Sequence, residues 1–277
     1  MPYTPRPTAA TDAATLTGIT GLAFDLDGTV YLGPTLLPGA LDLIMALAGA
    51  GVPYLFATNN SSKTGAGYVN SLSALGLPAD RDRVLTSNDV AVLHLRRTGL
   101  QRPFLLATPE VEDEYRDQGI EPTDDDPDSV LLTFDLTLTY DKLRRASDLI
   151  RSGLPYLATH PDLVCPTPNG PIPDCGSFIA LLAEATGARP LVLGKPHASM
   201  ASAIGDRLDM PAERVAYVGD RLYTDVRMAA DHGFVGVLTL TGETRREHLD
   251  SSPHVPDLIV ETLEDLHQRL RRTGVLA

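Results

Sequence analysis

Lysine is almost missing from this 277-residue chain. Of its 23 basic residues only Lys63, Lys142 and Lys195 are lysine, and the other 20 are arginine. Arginine is a wide planar fork and lysine a compact, mobile point charge, so each surviving lysine asks for a reason. Cysteine is equally scarce, with Cys165 and Cys175 alone. Two cysteines without a matching histidine pair make a poor zinc motif. With no export signal they read as reduced thiols of a cytoplasmic protein. Positive charge is in deficit overall: the net charge is -13 and the pI about 4.8. Such a surface repels phosphate backbones, and no local basic patch offsets it, so nucleic acid is excluded as a partner. No apolar run approaches the roughly 20 residues of a membrane span, which excludes a membrane partner. The N-terminus, "MPYTPRPTAATDAATLTG", lacks the apolar stretch of about 7–15 residues that marks a secretory signal. Its Pro, Thr and Ala content reads as a flexible tail over 1–17.

What is present suffices for a folded α/β protein. The chain is 43% hydrophobic and 21% charged, and its length suits one large domain or two ordinary ones. "GLAFD" (21–25) and "VPYLFATNN" (52–60) are apolar runs without alternation, as in strands buried on both faces. Between them "LPGALDLIMALAGAG" reads as a helix with Pro38 near its start and Gly51 past its end. Strand and helix then alternate, the signature of a parallel α/β sheet. After the punctuation "PADRDR" and a helix over 88–97 capped by Ser87, a second α/β stretch runs to about residue 189. It contains a long Pro/Gly-rich loop, "HPDLVCPTPNGPIPDCG". From "RPLVLGKPH" the first style resumes, with the apolar strand "RVAYVGD" and then "FVGVLTL". The expected organisation is therefore a Rossmann-like core over 18–86 and 190–277, with an α/β insertion over 87–189.

Ligands of open parallel sheets bind beyond the carboxyl ends of the strands. After "LAF" come Asp25 and Asp27. After "YLFA" come Thr58, Asn59, Asn60, Ser61, Ser62 and Lys63. After "LVL" come Gly194 and Lys195, and after "AYV" come Gly219, Asp220, Thr224 and Asp225. Residues i and i+2 of a strand point the same way, and two carboxylates about 4 Å apart repel by roughly 4 kcal/mol at an effective dielectric near 20. Four acids with one lysine leave surplus negative charge, which a hard divalent cation with oxygen ligands removes. Mg²⁺ suits a shell shared with water and a substrate phosphate. A Thr hydroxyl, loop N–H groups and Lys195 suit phosphoryl oxygens. One aspartate can then attack phosphorus, and a second can move the proton of the leaving oxygen and of the hydrolytic water. A calcium EF-hand is excluded, since it needs Gly at 30 and Glu at 36 where the chain has Val30 and Leu36. "TGAGYVN" lacks the third glycine of a dinucleotide fingerprint. Asp220 and Asp225, five apart, would diverge by about 140° within one helix, so a shared site requires Asp220 to lie in the loop before it.

"DLDGTVYLG", "ATNNSS", "LGKPH" and "VGDRLYTD", in this order, resemble the four motifs of the haloacid dehalogenase superfamily of phosphatases. The "TVYLG" extension, and an insertion between the second and third motifs, are similar to its class IIA branch. That branch includes 4-nitrophenylphosphatase-like, ribonucleotide and sugar-phosphate, phosphoglycolate and pyridoxal-phosphate phosphatases. The resemblance implies a Rossmann-like core with an inserted cap. It makes Asp25 the nucleophile and Asp27 the general acid/base, the latter offering its backbone carbonyl to Mg²⁺. Thr58 and Asn59 would hold the phosphate, with Asn60 divided between phosphate contact and loop support. Lys195 would steady nucleophile and phosphate, Asp220 would ligate Mg²⁺ directly, and Asp225 would orient the metal shell and Lys195. The expected function is Mg²⁺-dependent hydrolysis of a small phosphorylated metabolite through an aspartyl-phosphate. A homodimer through the cap is left open.

The competing class is a non-catalytic phosphometabolite-binding or phospho-acceptor regulatory protein. Receiver modules also use paired acids, Thr and Lys, but in about 120 residues, whereas Asp25 and Lys195 lie 170 positions apart (195 − 25). Transfer to an acceptor other than water is a third reading. In the insertion, His160, Asp162, Cys165 and Ser177 divide evenly between substrate contact and structural loop roles. Gly176 and Ser177 could present a helix N-terminus to an anion, and an ordinary Ser N-cap explains the same letters. The loop has few aromatic side chains for stacking a base, which favours small polar substrates. Lys63 reads as a solvated helix start, with help in holding phosphate as the alternative, and His197 as a first-turn capping residue.

Overall fold

The computed structural model describes residues 14–167 and 169–276, which form two compact units. The expected tail over 1–17 lies, for residues 1–13, outside the described part. At its other end Leu16 is fully buried, so packing begins before Gly18. The first unit holds the described residues of 1–57, with 69–85 and 201–276. The second holds 58–68 and the described residues of 86–200.

In chain order the strands are β1 Gly21–Phe24, β2 Tyr31–Leu32, β3 Thr35–Leu36, β4 Tyr54–Thr58, β5 Val84–Thr86, β6 Pro103–Leu106, β7 Ser129–Leu132, β8 Tyr156–Ala158, β9 Val164–Cys165, β10 Ile172–Pro173, β11 Leu191–Val192, β12 Val215–Gly219, β13 Val235–Thr239 and β14 Leu258–Val260. Among the described residues the main sheet of the first unit has six strands in the order β14-β13-β12-β1-β4-β5. β1 pairs in parallel with β12 and β4, and β13 lies parallel between β12 and β14. Every residue of β1, β4 and β12 is buried, which is why these strands carry continuous apolar runs. Helix Ala40–Ala50 covers the predicted segment and closes on Gly51, at φ 67°, a left-handed conformation that glycine adopts without a Cβ penalty.

The second unit has its own parallel sheet, ordered β11-β8-β7-β6, and a separate antiparallel pair, β9-β10. Its core gathers Phe104, Leu106, Val130, Leu132, Phe134 and Ile150 with Cys175 and Leu182 from the helix Cys175–Thr186.

Three details depart from the sequence expectation. "LV" of "LVLGKPH" was expected in the main sheet; as β11 it pairs instead with β8, Leu191 opposite Leu157. Two residues make so short a strand that the letters cannot say which sheet edge it joins. Residues 58–68 and 190–200, expected in the core, group with the second unit. Backbone bonds from Leu193 N to Ala158 O and from Gly194 N to Thr159 O draw the second of these segments there. Finally, the helix expected over 88–97 is Ser87–Thr98, and its N-cap is Thr86 rather than Ser87. Thr86 and Asp89 form a reciprocal capping box, while the Ser87 hydroxyl is taken by the Asn59 carbonyl.

Candidate active site

In the first unit, the residues that leave β1 and β12 make an acidic cluster. Asp25, Asp220 and Asp225 each present a carboxylate oxygen, all within 4.8 Å of one another, and all three are buried. Asp220 directly follows β12, ahead of a single π-helical turn over Leu222–Val226 that leads into the helix Arg227–His232. The Arg221 N–H donates to Asp225 Oδ2 at 3.0 Å and the Asp225 N–H to the Arg221 carbonyl at 3.0 Å. That wide turn lets two acids five positions apart face one point, as the spacing argument required. Asp27 stands outside this trio: its carboxylate is half-buried and accepts from the Tyr31 hydroxyl at 3.5 Å.

Asp220 is held by two donors. The Glu243 N–H donates to its Oδ2 at 2.6 Å and the Thr29 hydroxyl to its Oδ1 at 3.5 Å. Burial above all, then the Asp25 and Asp225 carboxylates, hold Asp220 well above the usual carboxylate range, against the pull of the Glu243 N–H and of Arg221. Glycine lets the backbone approach so closely. Gly28 sits at φ 90°, and a Cβ there would lie 2.6 Å from Asp220 Oδ2. A Cβ at Gly242 would also strike the Asp220 carboxylate, and one at Gly219 the Asp225 carboxylate.

The loop 241–243 was not among the expected site residues. Thr241 donates its hydroxyl to the Gly28 carbonyl at 2.7 Å, and Glu243 both holds Asp220 and pairs with Arg221 Nε at 3.0 Å. The signal was available: the loop follows the carboxyl end of β13, which neighbours β12.

Thr58, Asn59, Asn60 and Lys195 belong to the second unit. The Asn59 amide spans the Lys195 backbone. Its Nδ2 donates to the Lys195 carbonyl at 3.1 Å, and its Oδ1 accepts the Lys195 N–H at 2.8 Å. Nδ2 also donates to Asp162 Oδ2 at 3.0 Å. Thr58 accepts the Asn60 N–H at 3.1 Å, and the Asn60 side chain accepts from the Ser62 N–H and hydroxyl. Asn88, another residue the sequence reading passed over, donates to the carbonyls of Ser61 and Lys63 and fixes this loop from behind. Thr58, Asn59 and Lys195 are all buried.

The remaining candidates separate. Lys63 is exposed, 5.9 Å from the centre of the Tyr68 ring. His160 and Asp162 are buried, and Cys165 is a half-buried free thiol 3.7 Å from Asn60 Nδ2. Ser177 is not the N-cap of its helix: Asp174 is, and the Ser177 hydroxyl donates to the Leu163 carbonyl at 2.6 Å. His197 precedes the helix Ala198–Leu208, and its carbonyl accepts the Met200 N–H at 3.1 Å.

Residues 22–121 match a model of the haloacid dehalogenase-like hydrolases, and residues 192–266 match a second model of haloacid dehalogenase-like hydrolases. A crystal structure of a 4-nitrophenylphosphatase from Thermotoga maritima superposes with a TM-score of 0.88 at 41% identity, covering 92% of this chain and 98% of that one. The chain belongs to the haloacid dehalogenase family of hydrolases. An acid sugar phosphatase of Staphylococcus haemolyticus is 30% identical over 248 residues, 85% of this chain and 90% of its own. A 5'-nucleotidase of Bacillus subtilis is 28% identical over 246 residues, 88% and 96% of the two chains. Within the haloacid dehalogenase family this chain is accordingly a phosphoric monoester hydrolase. No helix among the described residues is long and apolar enough to cross a membrane.

Proposed function

We propose that the chain hydrolyses small phosphomonoesters through a phosphoryl group carried on Asp25, in a cytosolic setting that suits its two free thiols. The observation that carries this reading is the buried trio Asp25, Asp220 and Asp225. An all-oxygen donor set with surplus negative charge fits Mg²⁺. The upward push on Asp220 from Asp25 and Asp225 is what a bound cation would relieve. Asp25 and Asp220 would hold the ion with the Asp27 backbone carbonyl, and Asp225 would orient that shell. When bound, the ion supplies positive charge against the phosphoryl oxygens and the clustered acids.

The chain's own residues then act in sequence. An Asp25 carboxylate oxygen attacks phosphorus as the bond to the leaving oxygen breaks, and Asp27 gives that oxygen a proton. Asp27, now a carboxylate, takes a proton from water as the water oxygen attacks phosphorus, which frees orthophosphate and restores Asp25. Thr58, Asn60 and Lys195 bind the phosphoryl oxygens, with the Lys195 ammonium adding charge, while the Asn59 amide, expected on the phosphate, is committed to the Lys195 backbone and Asp162 and holds that loop instead. Both sets fall within the residues that match the family models, which supports joining them in one reading.

The named relatives support a substrate among sugar phosphates and nucleoside monophosphates, with 4-nitrophenyl phosphate as a convenient surrogate. Purified protein with Mg²⁺ and 4-nitrophenyl phosphate, beside Asp25→Asn, tests the reading. Turnover that requires Mg²⁺ and vanishes in Asp25→Asn is expected, and equal turnover by both proteins would refute the role of Asp25. Mg²⁺ binding without turnover on any ester of a sugar-phosphate and nucleotide panel would favour a binding protein instead.

A further inference from the structure

His160 is fully buried in the second unit, yet its ring lies between two acids. Nδ1 is 3.4 Å from Asp162 Oδ2, and Nε2 is 3.5 Å from Asp174 Oδ1. Both carboxylates are at least 95% buried themselves, and neither ring nitrogen makes a hydrogen bond of regular geometry. A neutral imidazole carries one N–H and can donate to one carboxylate only, whereas the imidazolium donates to both. Buried carboxylates are costly to leave without donors, and a ring N–H is the polar group that His160 brings between these two acids.

Each of those acids has a second task. Asp162 Oδ2 accepts from Asn59 Nδ2, the amide that grips both backbone polar groups of Lys195. Asp174 caps the helix Cys175–Thr186 by accepting the Cys175 N–H, and its own N–H reaches the Leu163 carbonyl beside the β9-β10 pair. The backbone closes around the same point. The Gly194 N–H donates to the Thr159 carbonyl at 2.6 Å, and a Cβ at Gly194 would lie 3.2 Å from His160 Cβ. His160 thus sits where the Lys195 loop, the Asn59 amide and the start of helix Cys175–Thr186 meet.

We propose that His160 is a positioning residue for the phosphate-binding side of the site: held between Asp162 and Asp174, its ring sets the Asn59 amide and, through it, the Lys195 backbone. It contacts neither metal nor phosphate and acts only through those partners. The catalytic consequence rests on the phosphatase reading above; the positional one does not.

The test uses the full chain with Mg²⁺ in three forms: wild type, His160→Gln, and His160→Gln with Asp162→Asn. Three quantities are read: kcat and KM on 4-nitrophenyl phosphate, inhibition by inorganic phosphate, and the NMR positions of the Lys195 N–H and the Asn59 side-chain amide. In His160→Gln, kcat should fall about 10- to 100-fold through misplacement of Lys195, KM should move less, and inorganic phosphate should inhibit more weakly. Both amide signals should shift. Adding Asp162→Asn removes one buried charge while keeping an acceptor for Asn59, and should recover part of the lost kcat. Wild-type kcat in His160→Gln overturns the proposal, as does a loss of activity with both amide signals unmoved. If His160→Gln does not fold, Asp162→Asn alone must shift the Asn59 and Lys195 signals, and unmoved signals overturn the proposal. If the wild type hydrolyses nothing, the phosphatase reading fails, and the NMR comparison still decides whether His160 positions Lys195.

Discussion

Replacing Asp220 by Asn should make the metal-free protein more stable and the Mg²⁺-loaded protein less so. The three carboxylates of the cluster lie within 4.8 Å of one another. At that separation and an effective dielectric of about 20, each ionised pair repels by roughly 3.5 kcal/mol. The wild type relieves part of this by keeping a proton on Asp220, whose affinity for it is raised by burial first and by Asp25 and Asp225 next. The remaining relief from the Asn amide is therefore smaller, about 1–2 kcal/mol, or an upward shift in Tm of about 2–4 °C for a chain of this size. Asn also keeps a carbonyl oxygen for the Glu243 N–H.

Mg²⁺ should reverse the order, since a cation at a hundred times its Kd stabilises its holder by about 2.7 kcal/mol, and the amide introduced by Asp220→Asn offers it no charge. The pH dependence has a definite sign. A carboxyl whose affinity for protons is raised by folding contributes stability below its unfolded pKa, near 4, and loses it as pH rises toward its higher folded value. Metal-free wild type should therefore lose stability above about pH 4, and Asp220→Asn should lose less. Thermal melts in EDTA and in Mg²⁺ between pH 4 and pH 8 measure all of this. An EDTA melting point below the wild type's, or an equal Mg²⁺ response in both proteins, would refute the reasoning.

Gly242→Ala should damage the cluster without touching its charges, because the added methyl strikes the Asp220 carboxylate; a destabilisation of about 1–3 kcal/mol and weaker Mg²⁺ binding are expected, by denaturant melts and calorimetry. Asn59→Ala strands the Lys195 N–H and carbonyl, which should cost about 1–3 kcal/mol and raise the inhibition constant for inorganic phosphate, read by competition kinetics. Burial pushes the Cys175 thiol up to about 12, so iodoacetamide at pH 8 should label Cys165 in the native protein and Cys175 only after unfolding, as peptide mass spectrometry would show.

Much of this protein is legible in its letters because the chemistry sits where strands end. Buried parallel strands write continuous apolar runs, and the polar residues that break those runs at Asp25, Thr58 and Asp220 mark the carboxyl ends. The spacing of Asp220 and Asp225 even required Asp220 to lie outside the helix, and it stands ahead of the π-helical turn that carries Asp225. Contacts between residues far apart in sequence wrote no such signal. Nothing local distinguishes β11 as a partner of β8 rather than of the main sheet, because two apolar residues fit either edge. Nothing near residue 220 announces that Gly242 and Glu243 press on it, nor does "THPD" say that a buried ring will lie between Asp162 and Asp174. Periodicity and strand-end polarity are properties of a segment and survive in one dimension. Which edge a short strand joins, and which charges share a buried volume, depend on packing between segments, and only the folded chain decides them.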